Sequence, residues 1–243
     1  MKKFKILSAN SIKIIALISM IIDHVGYVIF PQVKLLHIIG RLAFPLFAYF
    51  IAEGCRYTKN KLKHFVLILS LGVLFQSVYF IYFGRNDIFN IFITFSLSIL
   101  LIYALEEAKC NYFESKKLFI FSTALFLFLL AFVFVICKKV NIDYGFFGVI
   151  LPLFVSWTYT PATRYAKKLK KIDNNNLRLI SFTLGIILLA LSKPPALQLI
   201  FGLGAVPIIF LYNGKKGKLN LKYMFYIAYP AHMVIIYFLS KFI

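Results

Sequence analysis

Residues 117–137, with the sequence KLFIFSTALFLFLLAFVFVIC, decide the class of fold to which this chain belongs. About 20 apolar residues are enough to cross a bilayer as an α-helix, because each residue adds about 1.5 Å along the helix axis. The apolar residues at 124–136 do not alternate with polar ones, as the strands of a membrane β-barrel would. Since a backbone in lipid must satisfy its own hydrogen bonds, the stretch predicts a transmembrane helix.

The composition of the whole chain extends this prediction. Of its 243 residues, 61% are hydrophobic and only 15% are charged, and the mean hydropathy is +0.85. Soluble proteins are about 45–50% apolar, so this composition is typical of membrane proteins with several spans. Eight further apolar runs lie at 12–30, 35–54, 64–83, 88–105, 144–160, 178–193, 196–212 and 223–241.

We therefore predict an all-α fold, a polytopic integral membrane bundle of about nine transmembrane helices. The bundle forms a single domain over residues 1–243. A re-entrant hairpin is the alternative for the two runs between 178 and 212, because only the short segment around Lys193, Pro194 and Pro195 separates them.

The charge of the chain indicates how it lies in the membrane. It carries 28 Lys and Arg against 8 Asp and Glu, a net charge of +20. With nine spans, about three quarters of the basic residues fall on one side, which the positive-inside rule assigns to the cytoplasm. The N-terminus is then cytoplasmic, in a multi-pass protein of the bacterial inner membrane or plasma membrane. Because topology accounts for most of the charge, a nucleic-acid partner is not indicated.

Several ionisable side chains lie inside the apolar runs, where each costs about 2.5–3.5 kcal/mol at the bilayer centre. Asp23 and His24 stand together in the stretch IIDHVGYV at 21–28. In the second run, His37 and Arg41 are four residues apart and so share a helix face. Such groups normally face the interior of a bundle or a wet cavity, so we expect them to converge.

The ninth run adds His232, and Tyr229 lies three residues before it on the same face. We predict a polar chamber in the outer half of the bundle, with a histidine base tuned by the neighbouring carboxylate. The alternative is a structural role, in which an ion pair between Asp23 and Arg41 holds helices together and the histidines cap it. The predicted catalytic residues are Asp23, His24, Arg41 and His232.

Other polar residues mark the two ends of the spans. His37, Asp143 and Tyr144 are predicted at the outer side, Tyr229 near the middle of the ninth span, and Glu53 at the cytoplasmic end of the second span. All five are candidate substrate-binding residues. Pro45 and Pro230 are expected to interrupt the second and ninth helices beside these polar groups.

Three residues at membrane edges receive no functional role from the sequence. His64 follows a basic segment and is expected to be interfacial. Trp157 and Tyr159 end the sixth apolar run, which predicts that both are aromatic anchors at the cytoplasmic interface. The three cysteines, Cys55, Cys110 and Cys137, have no spacing typical of a zinc site, so no metal is predicted.

Five blocks of this sequence resemble the TraX family of membrane proteins. The blocks occur in the family's order and cover nearly the whole chain: MIIDHVG at 20–26, IGRLAFPLFAYFIAEGCRYTKN at 39–60, DYGFFGVILPL at 143–153, LYNGKKGK at 211–218 and YPAHMVIIYFL at 229–239. The namesake of the family is the F-pilin acetylation protein, which acetylates the N-terminus of a pilin subunit. The resemblance implies an integral membrane acetyltransferase that uses acetyl-CoA as co-substrate.

The resemblance also implies partners and further roles. The partners are the lipid bilayer, acetyl-CoA and an acceptor of unknown identity, namely an amine or hydroxyl of a peptide, a pilin-like subunit or an envelope molecule. Arg56, Lys59 and Lys61, or the basic loop at 164–171, are then expected to hold the phosphates of CoA. No glycine-rich CoA loop of the soluble acetyltransferase kind is visible in the sequence.

A proton-coupled transporter or permease is the alternative function. Buried Asp, Arg and His residues on helices interrupted by proline also describe such carriers. Many carriers contain two related halves, but neither the DHVG block nor the GRLAFP block has a second copy in this chain. A scaffold subunit without chemistry is the third option, and it would not need an acid, a base and an arginine to converge.

Overall fold

The computed structural model describes residues 5–83, 88–159, 173–192, 200–218 and 221–242, and within these residues regular structure is helical. The helices are α1 Ala9–Val28, α2 Lys34–Gly40, α3 Ala43–Tyr57, α4 Lys61–Phe83, α5 Ile91–Asn111, α6 Lys116–Lys139, α7 Gly145–Ser156, α8 Asn175–Ser192, α9 Ala205–Phe210 and α10 Lys222–Leu239. A 3₁₀ turn, Phe201–Gly204, precedes α9. The all-α prediction is confirmed for the described residues.

Six of these helical segments are long and apolar enough to cross a membrane: Ala9–Val28, Lys34–Tyr57, Lys61–Val78, Ile91–Asn111, Lys116–Lys139 and Asn175–Ser192. Three shorter apolar helices are Gly145–Ser156, Phe201–Phe210 and Ile227–Leu239. Each apolar run of the sequence thus contains a described helix, as expected for a membrane protein. The count of nine crossings and the cytoplasmic N-terminus stay predictions.

The second span is broken at the polar residue Arg41. Helix α2 ends at Gly40 and α3 begins at Ala43, so the interruption lies before Pro45 rather than at it. Pro45 instead occupies the first turn of α3, where a missing N–H breaks no helical hydrogen bond. The 3₁₀ turn packs against the break, since a Cβ on Gly202 would lie 3.2 Å from Pro45 Cγ and 3.4 Å from the Arg41 carbonyl.

The chain divides into two compact units, and the single domain over residues 1–243 stays a prediction. The first comprises Met1–Phe50 and Ile186–Ile243, and the second comprises Ile51–Gly185. Two helices, α3 and α8, run across the boundaries between them.

In the first unit, α1 and α2 approach each other at two glycines. A Cβ on Gly40 would lie only 2.2 Å from the Cβ of Asp23, and one on Gly26 would lie 2.7 Å from the Cβ of Leu36. Real Cβ atoms do not come this close, so only glycine permits the packing. The carboxylate of Asp23 is therefore held directly against the backbone of α2.

A methyl group at this crossing should be costly. We expect Gly40→Ala to lower the melting temperature of the purified protein in detergent, because overpacking at a fixed contact costs about 1–3 kcal/mol. The matched control is Gly54→Ala in α3, where the added Cβ would meet His64 at an ordinary 3.7 Å. Alanine is also the better helix former there, by about 1 kcal/mol. Equal melting temperatures for the two variants would contradict the close crossing.

In the second unit, α5 packs against α4, α6 and α7. Its buried hydroxyl groups are satisfied by backbone carbonyls, as Ser98 shows by donating to Val149 of α7 at 2.7 Å. Lys109 of α5 donates to the carbonyl of Ser156 at 2.9 Å and so caps the last turn of α7. Most of α6 is exposed, with only Ser122 and Val133 buried, as expected for a helix that faces lipid.

Candidate functional site

The first unit brings Asp23, His37 and Arg41 together at the break between α2 and α3. His37 Nδ1 donates to Asp23 Oδ1 at 3.1 Å, and Arg41 Nη2 lies 3.8 Å from the same oxygen. The predicted pair of Asp23 and Arg41 is therefore present, but His37 is the closer partner of the carboxylate. His37 was predicted to bind substrate. Its hydrogen bond to Asp23 also joins α2 to α1, which is a structural role.

The guanidinium of Arg41 retains hydrogen-bonding capacity. Its Nε is buried and has no acceptor among the described residues, and the contact of its Nη2 with Asp23 is longer than an ordinary hydrogen bond. The side chain is 23% exposed, so an approaching molecule has access to it. A ligand oxygen would therefore bind the terminal nitrogens of the guanidinium, because the unpaired Nε is itself closed to solvent.

The second pair in this unit is formed by His24 of α1 and His232 of α10. Their ring centroids are 4.8 Å apart in an edge-to-face arrangement, and His232 Nε2 lies 3.4 Å from His24 Nδ1. The ring of Tyr229 lies 5.5 Å from that of His232. His232 is only 5% exposed, so α10 contributes a buried imidazole to the cluster.

The backbone fixes which ring nitrogens carry protons. His24 Nδ1 lies 2.8 Å from the carbonyl of Met20, and His232 Nδ1 lies 3.0 Å from the carbonyl of Ala228. A carbonyl only accepts hydrogen bonds, so each Nδ1 is the donor and each neutral ring keeps an unprotonated Nε2. His232 Nε2 faces His24 Nδ1, whereas His24 Nε2 makes no hydrogen bond to the part of the chain that the structure describes.

This arrangement differs from the expectation that Asp23 orients the histidine base. Asp23 and His24 are consecutive in a helix, so their side chains point about 100° apart. Asp23 contacts His37 and Arg41 of the second span, while His24 contacts His232 of α10. The histidine that the carboxylate orients is therefore His37.

The remaining candidate substrate-binding residues lie in the second unit. Glu53 is 7% exposed, and its Oε1 accepts a hydrogen bond from the Tyr159 hydroxyl at 2.6 Å. Tyr144 has a left-handed backbone, with φ of 59°, at the start of α7. Asp143 precedes it, and its carbonyl accepts a hydrogen bond from the Thr94 hydroxyl at 2.9 Å. That these residues share a chamber with His24 stays a prediction.

Arg56, expected to hold CoA phosphates, belongs to an ion-pair network in this unit. Its Nη2 donates to Asp173 Oδ2 at 2.6 Å, and Arg178 pairs with the other oxygen of the same carboxylate. The two guanidinium carbons lie 4.5 Å and 4.0 Å from the ring centroid of Tyr159. Glu53, which accepts the hydrogen bond from the Tyr159 hydroxyl, adds a second carboxylate to this group.

Lys61, the second expected phosphate ligand, is also paired, since its Nζ lies 3.0 Å from Glu106 Oε2. Lys59 is exposed in the turn between α3 and α4. The basic loop at 164–171 lies outside the described residues. To bind a phosphate of CoA, Arg56 and Lys61 would first have to break their ion pairs with Asp173 and Glu106.

The network around Asp173 yields a stability prediction. We expect Asp173→Asn to destabilise the protein by about 3 kcal/mol, because it removes the carboxylate that both guanidinium groups share. The melting temperature in detergent measures the loss. Glu107→Gln is the matched control, since it removes one negative charge from an exposed position on α5. A melting temperature for Asp173→Asn equal to that of this control would contradict the network.

Two sequence-based interpretations of membrane-edge residues were incomplete. Tyr159 is 3% exposed and therefore is not an interfacial anchor, whereas Trp157 is exposed and its Nε1 donates to Ser181 Oγ at 2.6 Å. His64 is half-buried, with its Nδ1 2.8 Å from the Tyr103 hydroxyl. The sequence does not predict the contact of Trp157 with Ser181 or that of His64 with Tyr103, because the partners are far apart along the chain.

Comparison with known proteins identifies the relatives of this chain. It is 26% identical to the probable fimbrial assembly protein FimC, serogroup H1, of Dichelobacter nodosus over 245 aligned positions, which cover 94% of each chain. It is 32% identical over 102 positions to the uncharacterized protein RP591 of Rickettsia prowazekii (strain Madrid E), covering 42% of this chain and 39% of the relative. No solved structure matches the chain.

A family model described as TraX protein matches residues 8–240, which include every residue of the histidine and arginine clusters described above. The match extends over almost the entire sequence and agrees with the resemblance of the five blocks. The chain therefore belongs to the TraX family.

Proposed function

We propose that this protein is an integral membrane acetyltransferase that moves an acetyl group from acetyl-CoA to an amine or hydroxyl acceptor. The observation that carries the proposal is the cluster in the first unit, where an imidazole with an unprotonated Nε2 and a guanidinium with an unused donor occur on neighbouring helices. Acyl transfer needs these two functions, a base for the acceptor and a donor for the oxyanion.

His24 is the base in this proposal. Its Nε2 takes the proton as the acceptor nitrogen or oxygen attacks the thioester carbonyl, and the new bond forms at the carbonyl carbon. His232 Nε2 lies 3.4 Å from His24 Nδ1 and orients the ring from behind. Arg41 donates to the developing oxyanion. When the C–S bond breaks, His24 returns its proton to the CoA thiolate.

A covalent route uses the same atoms. His24 Nε2 would attack the thioester carbonyl itself, and the C–S bond would break to release the CoA thiolate. The acceptor would then attack the acetyl carbon and displace the imidazole, and the proton that the acceptor loses balances the one that the thiolate gains. Because only this route leaves an acetylated enzyme, it predicts exchange of label between free CoA and acetyl-CoA without any acceptor. Direct transfer predicts no such exchange.

Two further assignments belong to the proposal. Acetyl-CoA is supplied from the cytoplasm, and Lys59 is a candidate phosphate ligand because it is exposed, unlike the paired Arg56 and Lys61. The acceptor is a peptide of the fimbrial kind, a choice supported by the fimbrial assembly protein to which the chain is similar over 94% of its length. Glu53, Asp143, Tyr144 and Tyr229 are retained as candidate acceptor-binding residues.

A proton-coupled transporter is the second candidate, and the break between α2 and α3 favours it. Discontinuous helices with ionisable side chains at the interruption form the binding sites of many carriers. His37, Asp23 and Arg41 would then form a proton or substrate site, with no thioester chemistry.

The test measures release of CoA from acetyl-CoA by the purified protein in detergent, with a fimbrial peptide as acceptor. We expect release by the wild type and none by the double variant His24→Ala/His232→Ala, with both proteins equally well folded by melting temperature. The same preparations in proteoliposomes are examined for dissipation of a pH gradient. A folded wild type that releases no CoA but dissipates the gradient would reject the enzyme in favour of the transporter.

A further inference from the structure

The imidazole of His37 is held in the orientation of a base. Its Nδ1 donates to Asp23 Oδ1 at 3.1 Å, and because an ionised carboxylate only accepts hydrogen bonds, the neutral ring has no proton on Nε2. That Nε2 makes no hydrogen bond to the residues that the structure describes. A carboxylate bound to Nδ1 fixes the ring and stabilises the imidazolium that forms when Nε2 takes a proton, as in the carboxylate–histidine pairs of acyl-transfer enzymes.

This pair lies where it can exchange protons with water. The side chains of His37 and Asp23 are 16% and 22% exposed, and the exposed residues 30–35 end less than one helical turn before His37. The ring centroid of Tyr27 lies 6.3 Å from that of His37, and Arg41 Nη2 approaches the same oxygen of Asp23. Asp23, Tyr27 and Arg41 are the titratable or charged groups that face His37 within the described parts of the chain.

An amine acceptor has two protons to lose. An aliphatic amine with a pKa of about 8 or more, such as a peptide N-terminus, is mostly an ammonium ion at neutral pH. The ammonium nitrogen carries three protons and the amide product keeps one of them. In the proposed transfer, His24 takes one proton and returns it to the CoA thiolate. A second base at the site would remove the other proton, so that the enzyme could use the ammonium form that predominates in water.

We propose that His37, oriented by Asp23, removes the first proton from an amine acceptor, an inference that rests on the proposed acetyltransferase function. An N–H bond of the ammonium breaks as His37 Nε2 takes the proton, and the neutral amine then attacks the thioester with His24 as its base. The imidazolium of His37 afterwards gives its proton to water.

The placement of the four histidines of the chain supports this assignment. His37 is bound to Asp23, the residue that directly precedes His24 on α1, so the two bases are anchored side by side. His232 Nε2 faces the ring of His24, and His64 belongs to the second unit. His37 is therefore the histidine of the first unit that is suited to the additional proton.

The experiment compares His37→Asn with the wild type on two acceptors. The amide nitrogen of the new side chain can take the place of Nδ1 and still donate to Asp23, but the side chain has no basic nitrogen. The acceptors are one peptide with a free α-amino group and the same peptide carrying an N-terminal 4-aminobenzoyl group, whose aromatic amine is uncharged at neutral pH. His64→Asn is the matched control, since it makes the same substitution in the second unit.

We expect an effect that depends on the acceptor and on pH. At about pH 7, kcat/KM of His37→Asn for the α-amino peptide should fall about tenfold, because only about a tenth of an amine with a pKa of about 8 is unprotonated there. The loss should disappear by about pH 9, where most of this amine is already neutral. For the aromatic amine, His37→Asn should equal the wild type at both pH values, and His64→Asn should equal it for both acceptors.

Two results would overturn the role of His37 while the proposed function stands, since the wild type would still transfer acetyl groups. One is an equal loss for both acceptors at every pH, which would show that His37 only joins the helices. The other is no loss for the α-amino peptide at about pH 7. A wild type that acetylates neither peptide would overturn both the proposed function and this assignment.

Asp23→Asn is a second variant that tests the same step if His37→Asn does not fold. Its amide oxygen can still accept from His37 Nδ1, but the charge that stabilises the imidazolium is lost. The same selective loss for the α-amino peptide is expected, and its absence would contradict the proposal. The aromatic amine bypasses the first deprotonation, so with that acceptor the variants of Asp23 report on acyl transfer alone.

Discussion

The variant His24→Ala is expected to slow acetyl transfer by about 10²–10⁴-fold, the usual contribution of a positioned general base. His232→Ala should cause a smaller loss. The Nε2 atoms of the two histidines have different surroundings. His232 Nε2 faces the ring of His24, whereas His24 Nε2 has no hydrogen-bond partner among the described residues. Of the two, only His24 can therefore accept a proton from a substrate without first breaking a contact.

The measurement is the initial rate of CoA release with saturating acceptor, for each single variant. Added imidazole should restore part of the activity of His24→Ala, because it can occupy the vacated space and act as the base, whereas it should not help His232→Ala. His64→Ala serves as the histidine control, since His64 lies in the second unit against Tyr103. A larger loss in His232→Ala than in His24→Ala would reverse the assignment of the base.

The sequence contains enough information for the helices and for part of the site. Apolar runs report helices in lipid reliably, because the backbone has no other way to satisfy its hydrogen bonds there. The pairing of Asp23 with Arg41 was also predictable, since two opposite charges in a bundle cost least together. Whether His24 or His37 contacts Asp23 could not be predicted, because this depends on how α1 is rotated about its axis relative to α2.

The basic residues of the second unit show a different limit. Arg56 and Lys61 follow an apolar run, where lysine and arginine usually mark a cytoplasmic loop, so phosphate binding was a reasonable expectation. Their carboxylate partners, Asp173 and Glu106, lie 117 and 45 positions further along the chain, and no local pattern connects them. The burial of Tyr159 could not be predicted for the same reason, because it depends on packing against residues that are distant in the sequence.

The variant Arg41→Met should reduce acetyl transfer by about 10²–10³-fold, the cost of losing one oxyanion donor. It should also lower the melting temperature, because the carboxylate of Asp23 is left in the bundle without the guanidinium and keeps the imidazole of His37 as its hydrogen-bond partner. Arg41→Lys keeps the charge but loses the planar set of donors, so we expect it to recover stability better than activity. Both quantities are measured on the same detergent preparations.

The double variant Asp23→Asn/Arg41→Met separates a catalytic arginine from one that only holds helices together. Removing both charges eliminates the uncompensated partner, and replacing an ion pair by neutral groups is often neutral or stabilising, so the melting temperature should return toward that of the wild type. If Arg41 acts on the oxyanion, the double variant is stable and still inactive. If the pair is purely structural, activity returns together with stability, because the base His24 and its partner His232 are untouched by either substitution.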